Sequence, residues 1–192
     1  MKLAVIGTHG VGKTTLTYEL CSLLKKADYS VELVTETSLR SPFSGEERAS
    51  VEAHLWLLHA QIAIELESAS RATHLICDRA VLDHYCYLAS RFGRQPQLEQ
   101  WLNWWMRGYS LLVLVPPMAE GIPQDGFQSE TLEFQQRIHE LMEEMLSHTP
   151  FQTLNERVLR LDRRDRRVWP ETVFAATADL LRPARRIRVA GG

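Results

Sequence analysis

Residues 7–14 read Gly7-Thr8-His9-Gly10-Val11-Gly12-Lys13-Thr14 and follow the apolar run Leu3-Ala4-Val5-Ile6 directly. The spacing is glycine, four variable residues, then Gly-Lys-Thr, set between a buried strand and a helix. Glycine lets the backbone curl so that successive N–H groups point inward as a nest for anionic oxygens. The helix that follows adds the positive end of its dipole. A lysine and a hydroxyl residue at the end of such a loop reach a polyphosphate and its divalent cation. The stretch therefore predicts a site for a nucleoside triphosphate with Mg²⁺, Lys13 on the β- and γ-phosphates and Thr14 on the metal.

Composition narrows the rest. The chain has 192 residues, enough for one domain with its own core. Hydrophobic residues make up 45% and charged residues 24%, both ordinary for a globular chain. A net charge of −2 argues against wholesale binding to nucleic acid or a membrane surface. Arginines nevertheless gather late, at Arg160, Arg163, Arg164, Arg166 and Arg167, and again at Arg182, Arg185, Arg186 and Arg188. Cys21, Cys77 and Cys86 lack metal-site spacing and an even count, so neither a disulfide framework nor a zinc site is expected, and the two in apolar surroundings read as small core residues. The N-terminus enters a strand with no basic leader, which predicts a reducing, cytoplasmic setting.

Strand and helix patterns alternate along the chain. Leu3–Ile6 reads as a strand buried on both faces, and Leu16, Leu20, Leu23 and Leu24 recur at helical spacing after Lys13. A second strand, Val31 to Thr35, ends at Glu36. Ser44-Gly45-Glu46-Glu47 resembles a capping box that opens a long helix reaching about Ser70. Its body is apolar over most of its circumference, with His54, Gln61 and Glu65 along one face; for His54 and Glu65 a water-facing seam is the simpler expectation. His74 to Cys77 is a third strand ending in Asp78-Arg79, and Leu111 to Val115 a fourth, stopped by Pro116-Pro117. Between them lie two helical stretches, the second carrying Trp101, Trp104 and Trp105 as core or subunit contacts. A Gly/Pro-rich loop, 118–126, then leads into an amphipathic helix. Val158 to Leu161 is a fifth strand, and a last helix runs from about Glu171 to Leu181. This alternation predicts a doubly wound parallel α/β sheet with ligands at the carboxyl ends of its strands. The domain spans 1–181, with a lid at about 117–137 and a basic, flexible tail at 182–192.

Chemistry is then expected where strands end. Asp78 closes an apolar strand, where a carboxylate can hold Mg²⁺. Arg79 is a candidate grip on a phosphate or on the acceptor, or else a partner of Asp78 or Glu36. Glu36 and Asp78 are both candidates to orient or deprotonate an acceptor hydroxyl. Gln61 and its helix are placed to line an acceptor pocket. His9 reads as a permissive position in the loop. In the lid segment 118–137 the first basic residue is Arg137, the candidate for charge stabilisation there. The arginines at 163–167 and Trp169 follow the fifth strand, where a nucleotide base can pack between loops.

Together these residues resemble the P-loop nucleoside and nucleotide kinase group, and within it small AAA-type ATP-binding proteins similar to nicotinamide riboside kinase domains. The resemblance rests on Gly7-Thr8-His9-Gly10-Val11-Gly12-Lys13-Thr14-Thr15, Glu36, Ile76-Cys77-Asp78-Arg79, and Asp125-Gly126 before the lid helix. It implies a three-layer P-loop NTPase sandwich with a five-stranded sheet in the order 2-3-1-4-5. It also implies ATP- and Mg²⁺-dependent transfer to a small-molecule hydroxyl or phosphate. Residues 7–15 would bind the nucleotide, Thr14 and Asp78 the metal. Lys13, Asp78, Glu36, Arg79 and Arg137 would carry the reaction. Lid loops of the group carry arginine, whereas Phe127-Gln128 stand here, leaving Arg137, Arg79 or a partner subunit to supply that charge.

The reading that follows is a phosphotransferase for a nucleoside, nucleotide or related metabolite, with a homodimer as its candidate assembly. An ATP-dependent regulatory module without such an acceptor is the alternative. A guanine-specific switch is disfavoured, since the chain has no Asn-Lys-x-Asp element. A hexameric motor is disfavoured as well, for want of a separate helical lid domain.

Overall fold

The computed structural model describes residues 1–117 and 132–181. A five-stranded parallel sheet is ordered β2-β3-β1-β4-β5, from strands β1 (Lys2–Ile6), β2 (Val31–Val34), β3 (His74–Asp78), β4 (Leu111–Leu114) and β5 (Val158–Arg160). Helices connect the strands: α1 (Lys13–Lys26), α2 (Val51–Ala69), α3 (Val81–Phe92), α4 (Pro96–Met106), α5 (Leu132–Ser147), α6 (Trp169–Ala176) and α7 (Ala178–Leu181). The expected class and strand order are both present.

Alternating residues of the strands feed two separate cores, because successive side chains of a strand point to opposite faces. Ala4, Ile6, Cys77, Leu112 and Leu114 pack with Leu58, Leu82, Tyr85 and Met142 from α2, α3 and α5. Leu3, Val5, Ile76 and Val113 pack with Leu16, Leu20, Val173 and Leu181 from α1, α6 and α7. Three layers result, with the cysteines buried and free as small core residues. Val5 lies opposite Asp78 and Ile6 opposite Leu114, so the loop after β1 emerges beside the end of β3.

Three local expectations change in the fold. Ser44-Gly45-Glu46-Glu47 starts only a short 3-10 turn (Gly45–Ala49), and its serine side chain makes no capping bond. The α2 helix begins later, where the Ser50 hydroxyl accepts from the Ala53 amide at 3.2 Å. The last helix is divided at Thr177, whose hydroxyl bonds back to the Phe174 carbonyl. The polar seam of α2 faces inward, with His54, Gln61 and Glu65 all buried.

Glu65 explains that inversion. It accepts from Lys2 Nζ at 2.9 Å, Gln61 Nε2 at 3.0 Å and Trp105 Nε1 at 3.1 Å, and from the Tyr109 hydroxyl. The Lys2 ammonium also lies 4.0 Å from the centre of the Tyr109 ring. A buried carboxylate needs this density of donors to offset its lost hydration. Of the tryptophans, Trp105 is half-buried, while Trp101 and Trp104 are exposed rather than core. Among the described residues no helix is long and apolar enough to cross a membrane. The segments 118–131 and 182–192, which include the lid loop with Asp125-Gly126 and the basic tail, lie outside the described residues.

The two candidate caps separate cleanly by mutation. Ser50→Ala is expected to lower stability by about 1 kcal/mol in urea unfolding, whereas Ser44→Ala leaves the midpoint unchanged.

Candidate functional site

The loop between β1 and α1 is held by geometry that only glycine satisfies at its first position. Gly7 has φ 139°, and a β-carbon there would lie 2.7 Å from the Val115 backbone carbonyl oxygen. The Gly7 amide donates to Asp83 Oδ1 at 2.9 Å, and Asp83 Oδ2 accepts from the Ala80 amide at 2.8 Å. One fully buried carboxylate thus ties the start of the loop to the start of α3. Burial pushes the Asp83 carboxyl up, against the opposing pull of Lys13, Arg79 and the two amides.

At the far end of the loop, Lys13 is buried and its ammonium donates to the Thr8 carbonyl. Burial, with the Arg79 guanidinium nearby, lowers its pKa to about 7. The Thr14 hydroxyl donates to Asp78 Oδ2 at 2.6 Å. Asp78 Oδ1 is buried without a hydrogen-bond partner, and burial raises the carboxyl's pKa. A hydroxyl and a carboxylate in contact, with one carboxylate oxygen unsatisfied, fit a hard divalent cation that keeps most of its waters. Among the described residues no cluster of three or more His, Cys, Asp or Glu forms a cage for a metal. The donor set present is the sparse one suited to Mg²⁺ shared with phosphate oxygens.

Glu36 and Arg79 form the second element. Arg79 Nε and Nη2 each approach Glu36 Oε1 at 3.0 Å, and the Ser38 hydroxyl donates to the same oxygen at 2.7 Å. Burial alone would raise the Glu36 carboxyl; Arg79, the Ser38 bond and Lys13 overcome it and hold the pKa at about 2. Glu36 is therefore an ionised partner of Arg79 and not a solvated loop residue. Arg79 itself has φ 86°, unusual for a side chain of its size. Its amide donates to the Val5 carbonyl at 3.1 Å and its carbonyl accepts from Gln61 Nε2 at 3.2 Å. Those bonds hold the strained conformation in place.

A third group braces the loop from above. The His9 amide donates to the Tyr87 hydroxyl at 3.1 Å, and the His9 carbonyl accepts from Gln135 Nε2 at 3.0 Å. His9 is thus a fastening point between α3 and α5, which its variable place in the motif did not disclose. Burial, with Arg79 and Lys13, lowers its imidazole to about 4. Arg137, two residues beyond Gln135, is exposed, and its Nη2 reaches the Ser90 carbonyl at 3.5 Å. The described residues thus bring Lys13, Thr14, Asp78, Glu36 and Arg79 together, with Arg137 on the outer side of α5.

Arg166 and Trp169 stand on the opposite flank. The guanidinium carbon of Arg166 lies 5.3 Å from the Trp169 ring centre. A β-carbon on Gly12, where φ is 93°, would meet Arg166 Nη2 at 1.9 Å, so the absent side chain is the space the arginine occupies. A cleft of about 200 Å³ opens there between Gly12, Thr15, Glu19, Arg166 and Trp169.

Several of these residues were missed by sequence reading. Asp83 and Tyr87 lie four apart on α3 beside His84, a polar stripe at helical spacing that could have marked a site-facing edge. Gln135 left no such signal, since only the packing of α5 brings it to the loop.

Comparison with known proteins follows the same lines. The sequence matches the AAA domain family over residues 2–166, and the chain belongs to that family. No protein of curated function matches it by sequence. Among solved structures, the deoxyadenosine kinase of M. mycoides with bound dATP superposes with a TM-score of 0.62 at 15% identity. That match covers 92% of this chain and 98% of the kinase. The fold is that of the P-loop nucleotide kinases.

His84 is buried near Arg79, and burial with that charge lowers its imidazole to about 3, while Thr37 Oγ1 lies 3.4 Å from Nε2. His9 and His84 are both neutral in the fold and titrate near 6.5 once unfolded. Their contribution is complete above about pH 6.5 and is lost as the pH falls toward the folded values. Urea midpoints are expected to decline from pH 6.5 downward. His84→Asn should remove about one proton of that slope, ~1.4 kcal/mol per pH unit at most.

Proposed function

We propose that the chain is an ATP- and Mg²⁺-dependent phosphotransferase acting in the cytoplasm on a small-molecule acceptor, a nucleoside, nucleotide or related metabolite. The observation that carries this reading is the meeting of Thr14, Asp78 and Lys13 with the Glu36–Arg79 pair at the carboxyl ends of neighbouring strands. MgATP, when bound, supplies the transferable phosphoryl group and the divalent charge. The amides of Gly7 and His9 are engaged by Asp83 and Tyr87, which leaves those from Gly10 onward to cradle the phosphates. Lys13 turns from the Thr8 carbonyl to phosphate oxygens and balances the charge that builds on them. Thr14 and Asp78 hold the cation. The base packs in the cleft beside Arg166, whose planar guanidinium, backed by the buried Trp169 ring, lines it.

Glu36 is held near pKa 2 by Arg79, too weak a base to strip an alcohol of its proton at neutral pH. Its task in this reading is to accept a hydrogen bond from the acceptor hydroxyl and aim that oxygen. Arg79 keeps Glu36 ionised and presents its remaining donors to the acceptor or to the transferring group. Loose phosphoryl-transfer transition states ask for positioning more than for deprotonation, which suits such a carboxylate. Arg137 is kept as the candidate cation of the lid segment.

Two measurements test the reading. Titration calorimetry with MgATP should give binding to the wild type and none to Lys13→Ala, with circular dichroism unchanged between them. Because free Lys13 loses its proton above about pH 7, affinity should fall as pH rises past that point, by up to about tenfold per pH unit. An acceptor screen should yield a phosphorylated product whose rate drops about 10²-fold or more in Glu36→Gln and Asp78→Asn. ATP hydrolysis without any product across nucleosides and nucleotides would favour the regulatory alternative instead.

A further inference from the structure

Two bonds reach the phosphate loop from one side and clasp both main-chain groups of a single residue. The Tyr87 hydroxyl, on α3, accepts from the His9 amide at 3.1 Å and lies 3.0 Å from His9 Nδ1. Gln135 Nε2, on α5, donates to the His9 carbonyl at 3.0 Å. The Tyr87 and Phe134 rings have centres 6.0 Å apart, so both bonds come from the flank where α3 meets α5. In a trans peptide the carbonyl and the N–H point in opposite directions. The Thr8 carbonyl shares a plane with the His9 amide and is therefore turned away from Tyr87. There it accepts from the Lys13 ammonium. The Gly10 amide shares a plane with the His9 carbonyl, and the same rule turns it away from Gln135. Among the described residues no group accepts a hydrogen bond from it.

Packing alone does not account for a glutamine at 135. The residue is fully buried, and with Ile138, Met142 and Met145 it lies on the inward face of α5. Its Oε1 has no hydrogen-bond partner among the described residues. A buried amide with bonds left unmade costs stability that an apolar side chain of the same length does not. The bond that it does make is the one that orients the peptide between His9 and Gly10.

We propose that Gln135 is a positioning residue: by holding the His9 carbonyl outward, it aims the Gly10 amide at a phosphate oxygen of the bound nucleotide. Tyr87 acts likewise on the Thr8 carbonyl, which holds Lys13 inside the loop until phosphate takes its place. Helix α5 thereby contributes to phosphate binding without touching the nucleotide, because a donor fixed beforehand needs no reorganisation when the anion arrives. The inference rests on the nucleotide-binding part of the proposed function.

Gln135→Met keeps the length of the side chain and removes the donor. Its urea midpoint is expected at or above that of the wild type, while calorimetry with MgATP should show a Kd raised about tenfold. In amide ¹⁵N–¹H spectra the wild-type Gly10 proton should move downfield when MgATP is added, and in Gln135→Met it should not. Tyr87→Phe removes the other clasp and should keep that Gly10 response. Unchanged MgATP affinity in Gln135→Met, a lowered urea midpoint, or a Gly10 response lost equally in Tyr87→Phe overturns the assignment. Absence of MgATP binding by the wild type is a different failure: it sinks the phosphotransferase reading, and this inference with it.

Discussion

The carboxylate of Asp83 accepts one amide from the first residue of the phosphate loop and one from the residue that opens α3. Buried side chains with ionisable groups are tolerated when donors replace the water they lose, and here the donors are main-chain groups of two different elements. The loop conformation and the placement of α3 are thereby set by a single side chain. Everything else in the site is referred to that junction. Tyr87, one turn further along α3, reaches the His9 amide; Arg79, just before Ala80, turns back to Glu36.

Five charged groups, Lys13, Glu36, Asp78, Arg79 and Asp83, share this half-closed corner, and their protonation reflects it. The Asp78 and Asp83 carboxyls are pushed up by burial, the Lys13 ammonium is pushed down, and Glu36 is held low by the guanidinium on it. Such a set gains from an incoming polyanion with a divalent cation. In the proposed reading an incoming polyanion would restore the lysine's charge, and a divalent cation that of Asp78. The corner is also mechanically connected to the far end of the sheet. Gln61 bonds the Arg79 carbonyl and Glu65, and Glu65 gathers Lys2, Trp105 and Tyr109. The inward polar stripe of α2 thus runs between the two ends of β1.

Local signals were legible in the chain itself. Gly7 to Thr14 has one backbone solution beside a strand and a helix, and apolar runs buried on both faces announce parallel strands. Asp78 and Glu36 were legible because a carboxylate at a strand's carboxyl end has few other reasons to be there. Where two local signals compete, the packed structure chooses between them. Ser44-Gly45-Glu46-Glu47 has the letters of a capping box, yet Pro42 and Gly45 favour a tight turn, and the α-helix waits for Ser50. His54 and Glu65 looked like a wet seam because periodicity shows which residues share a face and not which way that face points.

What the sequence by itself determined is the phosphate loop, the alternation of strands and helices, and the acidic ends of β2 and β3. These follow from spacing, backbone freedom and burial, all of which act within a few residues. Only the tertiary structure decided that Arg79 pairs with Glu36, that Asp83, Tyr87 and Gln135 brace the loop, and that α2 faces its polar side inward. Those choices join residues from 18 to 126 positions apart. Their energies come from desolvated hydrogen bonds that exist once distant elements have packed, and no local pattern encodes them.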